Sequence, residues 1–206
     1  MNVVLILGTM VFFGVVHSLT AGPGFKGWAQ RTMGERIYQG TYRLLYNVFS
    51  VVTFAPVLAA MALTANQPLY RVPLPWAWLM LALQGLGALG AAGGLVVTDA
   101  LEFVGLRQLL ALANGDPLPL PAAPFQARGM YAVVRHPVYL FSLVFLWAMP
   151  VMSVNTLTFN AVATVYFFVG SVFEERGLAA LYGDTYRDYQ QRVPRIFPWP
   201  RPRPSD

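Results

Sequence analysis

The chain has 206 residues, of which 56% are hydrophobic and only 11% charged, whereas ordinary soluble domains carry about 25% charged residues. It contains no cysteine, which excludes disulfides, thiolate metal sites, iron–sulfur clusters and cysteine nucleophiles, and no metal site is expected. The net charge of +5 comes from basic residues that flank apolar runs instead of forming a stripe with interleaved aromatics, so anionic lipid headgroups are the expected partner and nucleic acid is not.

A helix needs about 20 apolar residues to cross the hydrocarbon core. The first such run covers residues 3–19, interrupted only by small residues and by His17-Ser18. It lacks a basic leading region and an A-x-A cleavage site, and reads as a retained helix. The second run covers 44–64 and the third 76–97, where Trp76 and Trp78 are placed as interfacial anchors. After Asp99 a short amphipathic piece is expected over 100–112. Asn114-Gly115-Asp116-Pro117 and the prolines at 119, 121 and 124 then enforce a loop. The last two apolar runs, 137–152 and 156–173, are so close in sequence that they must form an antiparallel helical hairpin.

The expected fold is all-α: a single integral membrane domain with five transmembrane helices, followed by amphipathic cytoplasmic helices. Leu178, Leu181, Tyr182, Tyr186, Tyr189 and Val193 recur at helical spacing after Glu174, with an interruption near Gly183-Asp184. Val193-Pro194 ends that pattern, and the Pro/Arg-rich tail over 199–206 is expected to be disordered. Orientation follows from Lys and Arg, which are retained on the cytoplasmic side. Every one of them except Arg71 falls in the first connection, the third connection or the C-terminal segment. This places the N-terminus outside and the C-terminus in the cytoplasm, in what reads as a bacterial inner membrane.

Gly85-Leu86-Gly87-Ala88-Leu89-Gly90 matches the G-x-G-x-x-G pattern of nucleotide-binding turns. That fingerprint needs a preceding strand and the open end of a helix, whereas these glycines lie inside an apolar helix. With Gly94 four residues beyond Gly90, they read instead as a small-residue groove for close helix packing.

Polar groups crowd one membrane entrance. Gly129-Met130-Tyr131 precedes Arg135-His136-Pro137-Val138-Tyr139 at the start of the fourth run, and the antiparallel hairpin returns Glu174-Glu175 to the same side. Such a group could be an ion-paired collar at the headgroups or a site. The full pattern adds Leu178, Tyr182-Gly183, Tyr186, Tyr189 and Val193-Pro194-Arg195. Over about residues 129–198 it resembles the isoprenylcysteine carboxyl methyltransferase and phospholipid methyltransferase superfamily. Two departures are Tyr182, where that family usually has phenylalanine, and Phe141-Ser142, where it often has a glycine two positions after the tyrosine.

The resemblance implies S-adenosyl-L-methionine as cofactor, with Arg135, His136, Tyr139, Glu175, Tyr186, Tyr189 and Pro194 around it and Glu174 and Arg195 acting on the acceptor. The residue types suit that ligand, whose cations call for carboxylates and whose carboxylate calls for Arg, His or Tyr donors. It also leaves a cofactor role open to the glycines of the third run. Further upstream, His17-Ser18-Leu19-x-Ala21 and Tyr42-Arg43-Leu44-x-Tyr46-Asn47 resemble the methanethiol S-methyltransferase and NnrU-like branch. This implies a small thiol as acceptor and His17 as the residue that orients or deprotonates it. A helix–helix hydrogen bond to Asn47 or Tyr46 explains His17 equally well, and a prenyl-cysteine or lipid acceptor stays open. Two other readings remain: a steroid-reductase-like membrane enzyme using NADPH, and a catalytically inactive NnrU-like protein.

Overall fold

A computed structural model describes residues 2–121, 125 and 127–199. Pro124 and the tail from residue 200 onward, with its expected disorder, lie outside them. The chain forms two compact units, the first made of Met1–Pro68, Val96–Ala122 and Ser153–Phe159, the second of Leu69–Leu95, Ala123–Met152 and Asn160–Asp206.

In the first unit, α1 (Asn2–Ala21) and α3 (Glu35–Leu63) pack along each other, joined by α2 (Pro23–Met33). Pro23 opens α2, where its missing N–H and fixed φ cost nothing. α3 starts well before the apolar run at 44–64, because its first turns, with Glu35, Arg36 and Gln39, are polar but still helical. Hydropathy marks only the part of a helix that meets lipid.

The amphipathic piece expected over 100–112 is two helices, α5 (Ala100–Val104) and α6 (Leu106–Asn114), broken at Gly105. Gly105 has φ +93, and a Cβ there would come within 2.9 Å of the backbone of Arg43 and Leu44. Only glycine allows that approach. Arg43 and Asn47, one turn apart on α3, cap the open end of α5: Arg43 Nη1 donates to Glu102 O at 3.0 Å, and Asn47 Nδ2 donates to Phe103 O at 3.2 Å.

Mostly within the second unit, β1 (Pro68–Arg71) and β2 (Val151–Ser153) form a short two-stranded ladder. α4 (Trp76–Val97) lies against α7 (Pro137–Trp147) through its glycine face. A Cβ at Gly87 would come within 2.6 Å of Phe145 N, and one at Gly94 within 2.6 Å of the Val138 side chain. Gly90 faces the Phe141 ring, so the bulky departure at 141 is accommodated by a glycine on the neighbouring helix. Gly85, by contrast, has nothing within 4 Å.

Among the described residues, four helices are long and apolar enough to cross a membrane: α1, α3, α4 and α8 (Val154–Tyr182). The protein is an integral membrane protein. The run expected to cross over 137–152 is helical only as α7, whose 11 residues rise about 16 Å, short of the ~30 Å hydrocarbon core. Its end is capped from neighbouring segments. Gln84 Nε2 donates to Phe145 O at 3.2 Å, Asn160 Nδ2 to Leu146 O at 2.5 Å, Tyr70 Oη to Met149 O at 3.2 Å and Val72 N to Pro150 O at 2.9 Å. Backbone that leaves a helix inside a membrane needs such partners.

α8 does not stop at Phe173. It runs on through Glu174 and Glu175 to Tyr182, so the first of the two expected C-terminal helices is its last turns. Gly183, at φ +59, breaks it, and α9 (Asp184–Arg192) follows with Tyr186 and Tyr189 buried and Arg187 and Asp188 exposed.

Candidate functional site

The Arg135-His136 and Pro194-Arg195 segments meet through their backbones. Arg135 N donates to Pro194 O and His136 N to Arg195 O, both at 2.9 Å. Arg135 reinforces this pairing with its side chain, donating through Nη1 to Gln190 O at 2.8 Å and Val193 O at 2.6 Å. Those carbonyls belong to the end of α9, so Arg135 acts as its cap.

The remaining donor, Arg135 Nε, lies 2.7 Å from Glu175 Oε1, and both side chains are 4% exposed. Glu175 is surrounded. Its Oε1 also accepts from His136 Nε2 at 3.1 Å, while its Oε2 accepts from Gln190 Nε2 at 3.0 Å and Arg195 Nη2 at 3.1 Å. A buried carboxylate offset by this many donors remains ionised, and those donors commit it to the protein itself.

Glu174 has the opposite environment. Its side chain is 48% exposed, and its Oε2 accepts from Tyr139 Oη at 2.9 Å and faces His136 Nδ1 at 3.4 Å. Tyr139 is stacked between two rings, His136 at 5.2 Å and Phe167 at 5.1 Å, both nearly parallel to it. This fixes its hydroxyl on the carboxylate.

Each ring nitrogen of His136 faces a carboxylate. Two acceptors require two donors, which only the imidazolium offers. Burial works against that charge, but the hydrogen bonds and charges of Glu174 and Glu175 outweigh it and hold the His136 pKa above its ordinary value.

Tyr186, Tyr189 and Pro194, all expected around the cofactor, divide. Tyr186 and Tyr189 are buried in an aromatic cluster with Phe125, 5.8 and 5.1 Å from its ring, and Tyr189 Oη donates to Tyr131 O at 2.5 Å. Burial raises both hydroxyls, Tyr189 to about 12, so both are neutral. Pro194 instead lines an apolar groove of about 410 Å³ with Phe168, Arg195, Ile196, Phe197 and Trp199. In that wall Arg195 Nε is buried and has no hydrogen-bond partner among the described residues.

His17 lies on α1 in the first unit. Its Nε2 is 2.7 Å from Tyr46 Oη and its Nδ1 is 3.0 Å from Ser50 Oγ. Ser50 donates its own proton to Tyr46 O at 2.7 Å, so it accepts from His17 Nδ1–H and leaves Nε2 to accept from the tyrosine. Of the two partners open from sequence, Tyr46 is the one found. Asn47 is occupied at the end of α5.

Tyr131, from the Gly129-Met130-Tyr131 segment, accepts from Tyr189. Two contributors were not picked out from sequence: Gln190 follows Tyr189 and holds Glu175, and Phe167 stacks on Tyr139. Only Phe167 leaves a trace, two helical turns before Glu174 on the same face. Among the described residues no group of three His, Asp or Glu side chains is placed to hold a metal ion.

A methanethiol S-methyltransferase of Mycobacterium tuberculosis is 37% identical, over 91% of this chain and 75% of its own length. Methanethiol S-methyltransferase 2 of Bradyrhizobium diazoefficiens is 32% identical, over 92% and 70%. Nurim of Rattus norvegicus is 28% identical, over 88% and 70%. No solved structure matches the chain. The family model described as NnrU protein matches residues 4–194, and the chain therefore belongs to the NnrU protein family.

Proposed function

We propose that the chain is a membrane methyltransferase that uses S-adenosyl-L-methionine and delivers the methyl group to a small thiol, with a lipid or prenyl-linked acceptor as the alternative, at the cytoplasmic membrane face. The observation that carries this reading is the half-exposed carboxylate of Glu174, held by His136 and Tyr139. The relatives named methanethiol S-methyltransferase support the reaction class and the thiol.

The donor set fits the cofactor. Glu174 offers a carboxylate to a cation, the part-exposed Arg195 side chain offers a positive charge to a carboxylate, and Phe168, Pro194, Ile196, Phe197 and Trp199 offer an apolar wall to a nucleoside. When bound, S-adenosyl-L-methionine supplies an electrophilic methyl group on a positively charged sulfur. The protein's part is to bind, orient and exclude water, which is where most of the advantage in an in-line displacement arises. Glu175, Arg135, Gln190 and His136 hold the site together, and Tyr186 and Tyr189 support it from behind. His17 is the candidate for orienting or deprotonating the acceptor.

The same reading gives the chain five crossings. In this reading the non-helical residues 148–153, which end in β2, complete the crossing that α7 begins, with the backbone kept paired. The N-terminus then lies outside and the C-terminus in the cytoplasm of a bacterial inner membrane, with Arg71 alone among the Lys and Arg residues on the outer side.

Titration of detergent-purified chain with S-adenosyl-L-methionine and with NADPH in a calorimeter tests the cofactor. Binding of the first and not the second is expected, and the reverse result would overturn the reading. Methyl-labelled cofactor offered with methanethiol, a prenyl-cysteine analogue or lipid extract then identifies the acceptor by where the label appears.

A further inference from the structure

α2 is joined to the spanning helices on either side by one residue each, Gly22 before it and Gly34 after it. Its 11 residues rise about 16 Å, too little to cross the hydrocarbon core. Tyr42 Oη donates to Thr20 O, so the end of α1 lies level with Tyr42, just before the apolar run that begins at Leu44. α2 therefore starts at headgroup depth.

α2 rests on α1 and α3 and turns Ala29 inward. Phe25 and Trp28 point away from the protein, 41% and 53% exposed, with their ring centroids 5.1 Å apart. An exposed Phe–Trp edge at this depth suits the boundary between acyl chains and headgroups.

The charges of the first unit differ in what they already hold. Arg43 pairs with Glu102 and Arg107 with Asp99, and Arg36 donates to Asp116 O at 3.4 Å. Glu35, the acid nearest to α2 in sequence, accepts from Gln30 and Gln39 and from no cation. Lys26 and Arg31 are the two cations of this unit with no hydrogen bond or ion pair among the described residues, and both lie on α2, which has no acidic residue. Two open cations beside an apolar edge match an anionic membrane surface in charge as well as in polarity.

We propose that α2 is a membrane-surface anchor: Phe25 and Trp28 enter the acyl boundary of the leaflet where α1 ends, and Lys26 and Arg31 hold the phosphates of anionic lipids there. The attraction of basic residues for headgroups is thereby concentrated on one helix, and the first unit gathers anionic lipid around itself. The anchor is separate from the methyltransferase reading and does not depend on it.

The chain has no cysteine, and a Cβ at Gly24 meets nothing within 4 Å, so Gly24→Cys can carry an environment-sensitive fluorophore beside Phe25. The labelled full chain is placed in phosphatidylcholine nanodiscs doped with phosphatidylglycerol or phosphatidylcholine that bear the same spin label near the headgroup. Quenching by both lipids is expected, with phosphatidylglycerol about fivefold enriched at the fluorophore, the worth of one cation at an anionic surface. Lys26→Gln with Arg31→Gln should bring the two lipids to equal quenching at unchanged depth. Phe25→Ser with Trp28→Ser should move the fluorophore into water, read as quenching by acrylamide. The native-chain readings decide if a variant fails to fold. A fluorophore quenched by acrylamide and by neither lipid lies in water, and one shielded from all three is covered by protein. Either result in the native chain overturns the proposal, as does equal quenching by the two lipids or a preference that persists in the folded Lys26→Gln, Arg31→Gln chain.

Discussion

Glu174 and Glu175 are neighbours in sequence with opposite environments: the Glu175 side chain is 4% exposed and accepts from Arg135, His136, Gln190 and Arg195, while the Glu174 side chain is 48% exposed and shares His136 with it. Successive residues on a helix point about 100° apart, so one carboxylate faces the packed interior and the other its edge. His136 bridges them and ties the exposed group to the buried one.

The two glutamates should therefore fail differently when changed. Glu175→Gln is expected to cost about 3 kcal/mol of stability, as for other broken buried ion pairs, read as a lower unfolding temperature in detergent. Glu174→Gln should leave that temperature nearly unchanged and weaken S-adenosyl-L-methionine roughly tenfold or more, the size of a lost charge-assisted hydrogen bond. Equal cofactor affinity in Glu174→Gln and the native chain would remove Glu174 from the site.

His136 sets a pH dependence. Its pKa lies above 6.5 in the folded chain and near 6.5 when unfolded. The stability it contributes is complete below about pH 6.5 and is lost as pH rises through the folded-state pKa. Melting temperatures measured upward from pH 6 should fall for the native chain relative to His136→Gln. A constant difference between the two profiles would mean that folding does not raise the pKa of the ring.

The glycines of α4 separate by position. Gly85→Ala adds a Cβ in open space and should be neutral or stabilise by up to about 1 kcal/mol through helix propensity. Gly87→Ala drives a Cβ against the α7 backbone at Phe141 and Phe145, which cannot move aside without separating the helices, and should lower the unfolding temperature. Thermal scans of the two purified variants make the comparison.

His17 and Tyr46 can be tested through turnover. If His17 acts on the acceptor, His17→Gln should lower methyl transfer to methanethiol while leaving S-adenosyl-L-methionine affinity intact. Tyr46→Phe, which removes the donor to Nε2, should shift the pH–rate profile. Unchanged turnover in both variants would leave the pair a helix–helix contact.

Membrane embedding, the glycine groove and the meeting of Arg135-His136 with Glu174-Glu175 were legible from the sequence, because span length, small-residue spacing and an antiparallel hairpin are local or nearly local properties. The short α7 was not legible: apolar composition over 137–152 does not show that the helix stops at Trp147, where Gln84, Asn160 and Tyr70 are available to satisfy the carbonyls it releases. Nor could any pattern show which glutamate is occupied. Arg135 lies 40 residues from Glu175 and 58 from Val193, and only the folded chain brings all three together. The sequence by itself determined the solvent of this protein and the chemical groups at its mouth. The tertiary structure decided which of those groups are already bonded to one another and which face outward, because burial and donor count depend on contacts among distant segments.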